Sequence, residues 1–352
     1  MIRYIGATKF KFFLFFVFIS ILVAFRPDSV GSDSSAYAGA FIDASLEEGI
    51  AAPRWEIGFR LFMELVGIFT SSPTVFFFCV ALLISTLLYF SYKAAFIGRS
   101  FHDEIIFVSL LLVSGWYITE MTNGIRQGIS LSFLYWAVIT QLRFANYAKF
   151  LLLFGVAASF HLSVIFILPF FILIKVNVKK LSLIWFLALV FYILGLNERI
   201  IETITTVLNL SIYEQIRLYS VTNDSELVYA QWIGLQWDQL AYTVFFGLIG
   251  MAVFLLRIDG LKVKLYGDCD SEPHSFILKI YLILSLTYFV FGFGPYSNRY
   301  AVMAWFFLPI LQAAIISKLK FKKQDLTMIT ASLFLVAFGY FIFKRLDWLS
   351  YL

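Results

Sequence analysis

Apolar runs long enough, or nearly long enough, to cross a bilayer recur from residue 10 to residue 343, separated by polar segments of modest length. In hydrocarbon every backbone N–H and C=O has to be satisfied within the protein, so runs of this kind fold as helices. Composition closes off the alternative of two soluble domains. Hydrophobic residues make up 61% and charged ones 14%, well outside the soluble range. The expected fold class is therefore all-α, a single polytopic membrane domain over residues 1–352. The net charge of +5 does not point to nucleic acid, because most Lys and Arg sit in short loops between apolar runs, where they report topology. Cys79 lies in an apolar run and Cys269 in a basic loop, and they make no disulfide pair.

In chain order, the run 10–25 follows Arg3, Lys9 and Lys11 like a signal peptide. It meets Arg26-Pro27-Asp28 in place of a small-residue cleavage site, so it is read as a retained first span. Residues 26–56 form a polar, mostly acidic outside loop. Residues 57–70 are apolar but short and carry Arg60 and Glu64, which marks an amphipathic or re-entrant piece. Spans are expected at 74–92, at 104–119 and 124–140 as a tight pair, at 181–196, 240–256, 276–291, 300–316 and 326–343. Residues 197–238 form the large outside loop. The stretch 149–175 holds two apolar runs, each rising roughly 18 Å as helix and meeting at Ser159-Phe160-His161-Leu162-Ser163. Two readings stay open for it: a re-entrant hairpin with His161 at its tip, or one long span with a buried histidine. The first gives about nine spans with the N-terminus and the basic loops inside; letting 57–70 and 149–175 cross gives about eleven and fits the positive-inside rule worse. No inverted repeat is evident.

The polar groups that stand out gather on the outer side of that topology. Arg126 and Arg299 each open a helix, where free N–H groups and the positive dipole end suit an anion. Two guanidiniums there can clamp a diphosphate; alternatively Arg126 pairs with Glu120 across the turn and Arg299 reaches the surface. Asp33, in a glycine- and serine-rich loop, holds a sugar hydroxyl, shares a proton with His161, or caps a helix beginning at Ser34. Glu56 and Arg60, one turn apart, form a local pair on the plainest reading. His102 and His274 fall in cytoplasmic loops. His161 is then the one histidine near the outer face and the candidate general base. No Cys, Asp or Glu clusters with it, so no metal is expected. In the large loop Tyr213, Tyr219, Tyr229, Trp232 and Trp237 among Glu214, Arg217, Asp224 and Glu226 suit sugar stacking or interfacial anchoring. Residues 208–218 suit a helix lying on the membrane surface.

These motifs occur in an order that resembles the EpsG/Wzy-type family of bacterial polysaccharide polymerases. The resemblance rests on Asp33 with Tyr37, then Glu56-Ile57-Gly58-Phe59, then Asn123-Gly124-Ile125-Arg126-Gln127-Gly128-Ile129-Ser130. It continues through Phe160-His161-Leu162-Ser163 with Leu168-Pro169, and ends with Asn298-Arg299-Tyr300 and Leu308-Pro309. It implies a GT-C-like membrane glycosyltransferase at the periplasmic face of the inner membrane, joining undecaprenyl-diphosphate-linked oligosaccharide repeat units without a cofactor. Donor and acceptor glycans on that lipid are the implied partners, together with membrane lipids, and a chain-length regulator and a flippase are candidate protein partners. It implies His161 as base with Asp33 as runner-up, and Arg126 and Arg299 on the diphosphate. Tyr37, Glu56, Gln127, Asn298 and Tyr300 fall to substrate binding. A lipid-linked glycan flippase and an O-antigen ligase or acyltransferase are the alternative activities.

Overall fold

The computed structural model describes residues 2–27, 30–45, 55–96, 101–141, 145–207, 235–259, 262–265, 273–293 and 297–318, with positions 328, 331, 332, 334–336, 338 and 339. The chain is an all-α polytopic membrane protein. By length and composition, Pro73–Ala95 and Asn298–Ile316 are apolar enough to cross a bilayer, and four spans result if each of two sharply bent helix pairs counts as one. Shorter apolar helices, Phe12–Ala24, Tyr147–Phe160, Leu162–Lys175, Trp237–Val253 and Ser275–Phe291, accompany them. The expected surface helix at 208–218, the loop aromatics Tyr213, Tyr219, Tyr229 and Trp232, Cys269 and most of the expected span 326–343 lie outside the described residues. The chain divides into two compact units, Met1–Val164 with Lys320–Leu352, and Ile165–Leu319.

In the first unit α1 (Ile2–Ala24) and α4 (Pro73–Ala95) pack together, and α4 packs in turn on α7 (Ile125–Thr140). Pro73 opens α4 at a position where no N–H is needed, and Phe76, Val80, Ala81 and Ile84 are fully buried along it. Two short helices, α2 (Ser34–Ser45) and α3 (Ile57–Gly67), precede α4 and pack on each other. Phe59, Met63 and Val66 of α3 are buried while Leu61 and Leu65 are exposed, the two-faced character expected of residues 57–70.

The expected span 104–119 is not straight. α5 (Phe101–Val113) stops at Ser114, and α6 (Gly115–Thr122) leaves at 64°. A Ser-Gly pair is a common cause of such a kink; the Ser114 hydroxyl accepts from the Tyr117 amide at 3.4 Å and caps the new helix. The Tyr117 hydroxyl lies 2.7 Å from Ser85 Oγ of α4, which ties the kinked piece down. α7 follows almost immediately, and Gly128 lets it lie against α6: a Cβ there would meet the Glu120 carbonyl oxygen at 2.6 Å. α8 (Tyr147–Phe160) packs on α7, with Ser130 Oγ donating to the Ala157 carbonyl at 2.7 Å. At His161 the backbone turns extended (φ −159°, ψ 120°). The break expected within 149–175 is present, and the chain resumes as a 3₁₀ helix, Leu162–Lys175, containing Pro169.

The second unit is built around α12 (Pro273–Phe291), buried along nearly its whole length from Ile277 to Phe289. Around it pack α9 (Val178–Ile193), α10 (Leu196–Val207), α11 (Trp237–Leu255), α13 (Asn298–Trp305) and α14 (Leu308–Lys318). The expected span 300–316 is present within Asn298–Ile316, with a local turn at Phe306 and Phe307 just ahead of Pro309 that separates α13 from α14. After α11, β1 (Leu256–Asp259) and β2 (Lys262–Leu265) form an antiparallel hairpin with Leu256 opposite Leu265. The buried aromatics carry polar tips that hydrocarbon cannot satisfy, and each finds a partner across helices. Trp185 Nε1 donates to Ser285 Oγ at 2.6 Å, Trp305 Nε1 to Thr243 Oγ1 at 2.8 Å, and the Tyr281 hydroxyl to the Thr243 carbonyl at 2.8 Å.

The packing at Gly128 has a measurable consequence. Gly128→Ala forces α7 off α6 and costs about 1–3 kcal/mol of stability by overpacking. Gly155→Ala on α8, where an added Cβ meets nothing within 4 Å, gains up to about 1 kcal/mol of helix propensity. Thermal unfolding of the two purified variants in the same detergent reads the difference, and a Gly128→Ala protein as heat-stable as Gly155→Ala would contradict this packing.

Candidate active site

Two sequence positions separated by a hundred residues are brought together by a missing side chain. A Cβ on Gly58 would sit 2.9 Å from the Ser159 carbonyl carbon, so glycine alone lets the start of α3 lie against the end of α8. Glu56 stands two residues before Gly58 and His161 two residues after Ser159. The close approach of one pair therefore delivers the other: His161 Nδ1 lies 2.8 Å from Glu56 Oε1.

Glu56 sits at the N-cap position of α3, but its carboxylate does not cap that helix. It turns outward and spends both oxygens elsewhere. Oε1 also accepts from the Leu162 amide at 3.3 Å, satisfying one of the N–H groups that the first turn of the 3₁₀ helix leaves unpaired. Oε2 accepts from Arg126 Nη1 at 2.6 Å. Arg126 lies in the first turn of α7, and its Nε donates to the Tyr37 hydroxyl at 3.3 Å. The Trp55 ring lies 5.8 Å from the guanidinium carbon, in cation–π range. Tyr37, Trp55 and Phe59 pack on one another with centroids 5.3–5.6 Å apart and wall off the protein side of the ion pair. Side-chain exposure is 20% for Arg126 and 11% for both Glu56 and His161, so the three side chains meet in a site that solvent reaches only in part.

A second set of contacts fixes where α2 carries Tyr37. Asn123 Oδ1 accepts from Ser32 Oγ at 2.9 Å and from the Asp33 amide at 3.2 Å. The buried Arg26 guanidinium stacks 3.9 Å from the Phe77 ring and donates to Ser34 Oγ and to the Thr122 carbonyl. The first polar loop is thereby stapled to the α6–α7 turn.

The EpsG family model matches residues 9–351. The chain belongs to the EpsG family. This is a family of polysaccharide polymerases, so the chain is a membrane protein of polysaccharide biosynthesis and an enzyme of the polymerase type. Searches of curated proteins and of solved structures each returned no match.

Within this EpsG protein the structure joins His161, Arg126, Glu56 and Tyr37 in the first unit. It corrects three local readings. Asp33 does not share a proton with His161: it is exposed, its side chain accepts from Ser32, and the carboxylate on His161 is that of Glu56. Arg126 takes Glu56 as its ion-pair partner in place of Glu120. Glu56 and Arg60 do not form the local pair, and Arg60 Nε is buried with no acceptor among the described residues. Gln127 is buried on α7. Arg299, Asn298 and Tyr300 occupy the first turn of α13 in the second unit, where Arg299 is exposed and the Tyr300 ring packs on Phe291 and Phe166. Sequence reasoning gave Trp55 and Arg26 no part in the site, and Asn123 none beyond its place in the turn and motif before Arg126. The one available signal was Arg26, a cation in a loop of acids.

Partial burial by itself would raise the Glu56 carboxyl, but the hydrogen bond and charge of His161 and the Arg126 guanidinium outweigh it and hold the group at about 2. A carboxyl depressed from its ordinary 4.5 contributes stability that is complete above that value and is lost as pH falls toward about 2. The wild-type protein should therefore lose heat stability over this acid range more steeply than Glu56→Gln. Melting temperatures of both proteins across it provide the check, and parallel curves would mean that the carboxylate is not held by its partners.

Proposed function

We propose that the chain is a glycosyltransferase that polymerises undecaprenyl-diphosphate-linked oligosaccharide repeat units at the periplasmic face of the inner membrane, with its N-terminus in the cytoplasm. The observation that carries this reading is the Glu56 carboxylate held between Arg126 and His161, within a chain of the EpsG family. The positive-inside distribution of Lys and Arg supports the outward orientation.

The chemistry asks for a base and for a cation, a short distance apart. An imidazole that donates its Nδ1 proton to a carboxylate carries its lone pair on Nε2. His161, held that way by Glu56, takes the proton of the acceptor sugar hydroxyl as the hydroxyl oxygen bonds to the anomeric carbon of the donor. The bond from that carbon to the diphosphate breaks, and its electron pair leaves on the diphosphate oxygen. Glu56 then faces an imidazolium, which it stabilises, while the leaving group gains negative charge beside Arg126. Arg126 spends two of its five N–H donors on Tyr37 and Glu56, and the remaining donors serve the phosphate oxygens. Paired with Glu56, the arginine is nearly neutralised before the reaction and counts most when His161 becomes charged. The trio thus changes from about zero net charge to about +1 as the leaving group gains its negative charge. Arg299, exposed on α13, is proposed separately as an anion-binding cation.

With purified protein and lipid-linked repeat units, His161→Ala should lower turnover about 10²–10⁴-fold with donor binding little changed. Arg126→Gln should lower it about 10²–10³-fold. In cells both variants should leave single repeat units on lipid in place of a ladder. Normal ladders from either variant would remove that residue from the mechanism.

A further inference from the structure

Helix α10 sorts its side chains in a way that water does not explain. It buries Asn197 and Thr205, each 7% exposed, and exposes Ile200, Ile204 and Val207 at 44%, 49% and 77%. The buried polar groups are satisfied locally: Asn197 Nδ2 donates to the Val290 carbonyl of α12 at 3.3 Å, and Thr205 Oγ1 to the Ile201 carbonyl at 2.8 Å. At 3.6 residues per turn the helix surface divides into three sectors. Asn197, Ile201 and Thr205 face the protein. Arg199, Glu202, Thr203 and Thr206 form an exposed polar sector. Ile200, Ile204 and Val207 form an exposed apolar one.

The direction of α10 says what covers the third sector. It follows α9 after Gly195, which holds φ +65°, and leaves at 85°. Its twelve residues span about 18 Å, and at that angle they add under about 2 Å along the α9 axis. α10 therefore does not complete the crossing that α9 begins. Its charges keep it out of the middle of the bilayer. The exposed apolar side chains Leu187, Val190, Phe191 and Leu194 run along α9 to the bend, so the apolar sector of α10 continues a surface that is already suited to lipid. We propose that α10 is an interfacial helix, lying on the bilayer surface with Ile200, Ile204 and Val207 inserted among the acyl chains. Glu198 and Glu202 outnumber Arg199, so the attraction is apolar insertion and requires no anionic headgroup. This role is independent of the glycosyl-transfer reading.

Site-directed spin labelling of the full chain in nanodiscs of phosphatidylcholine tests it. In a Cys79→Ser, Cys269→Ser background, single cysteines replace Ile200, Ile204 or Val207 and, as controls on the same helix, Arg199, Glu202 or Thr206. The first three labels should be reached by oxygen in preference to a water-soluble nickel chelate, at a depth of about 5–10 Å below the headgroups. The controls should show the reverse preference. Labels at 200, 204 and 207 that favour the nickel chelate would place this sector in water and overturn the proposal. Labels at those positions closed to both reagents would mean that protein, such as a second copy of the chain, covers the sector, and would overturn it equally. Addition of phosphatidylglycerol should leave the accessibility pattern unchanged, and a pattern that appears only with it would contradict apolar insertion.

Discussion

A carboxylate that has left water must be repaid by partners on every side, and Glu56 is the group on which this requirement falls. Its two oxygens accept from Arg126, His161 and the Leu162 amide, and those three donors come from the start of α7, the end of α8 and the first turn of the 3₁₀ helix. Removing Arg126 leaves the Glu56 charge unpaired in a partly buried site, a far larger penalty than an exposed ion pair carries, and removing either other donor leaves a carboxylate lone pair unsatisfied there. The interaction therefore does two things at once. It ties α3 to α7 and α8, and it orients the one imidazole and the one guanidinium that a glycosyl transfer at this place would use. The aromatic wall of Tyr37, Trp55 and Phe59 strengthens the arrangement by keeping water from the protein side of the pair.

The parts of this that were legible in the sequence are those that depend on neighbours in the chain. The apolar runs gave the helices, the short amphipathic piece before α4 announced itself by Arg60 and Glu64, and the polar break at His161 appears where the two runs meet. Arg126 was legible as a helix-opening cation because Asn123-Gly124 marks a turn. What was hidden depends on contacts across the chain. Glu56 meets His161 because Gly58 can touch Ser159, and hydropathy carries no trace of such a contact. Asp33 stayed open as one partner for His161, beside a sugar hydroxyl or a helix cap, because an acid in a flexible loop can reach many places; Asn123 holds that loop through the Asp33 amide. The kink at Ser114 was missed because an apolar run reads the same whether bent or straight.

The second unit shows the other rule that lipid imposes. Without a hydrophobic force between helices, hydrogen bonds from Trp185, Trp305, Tyr281 and Tyr192 decide which faces meet α12, α11 and each other. The 42 phenylalanines of the chain supply bulk without such demands, which is why they occur both in the core and on exposed faces. α10 follows the same logic at the edge of the bilayer, where one helix has protein, water and acyl chain as neighbours.

If Glu56 acts by holding His161, their losses should not multiply. Polymerisation rates of purified wild-type protein, Glu56→Gln, His161→Ala and the double variant, assayed on lipid-linked repeat units, measure this directly. The account predicts that Glu56→Gln is strongly impaired and that the double variant is no slower than His161→Ala alone. Wild-type turnover by Glu56→Gln, or losses that multiply in the double variant, would contradict it.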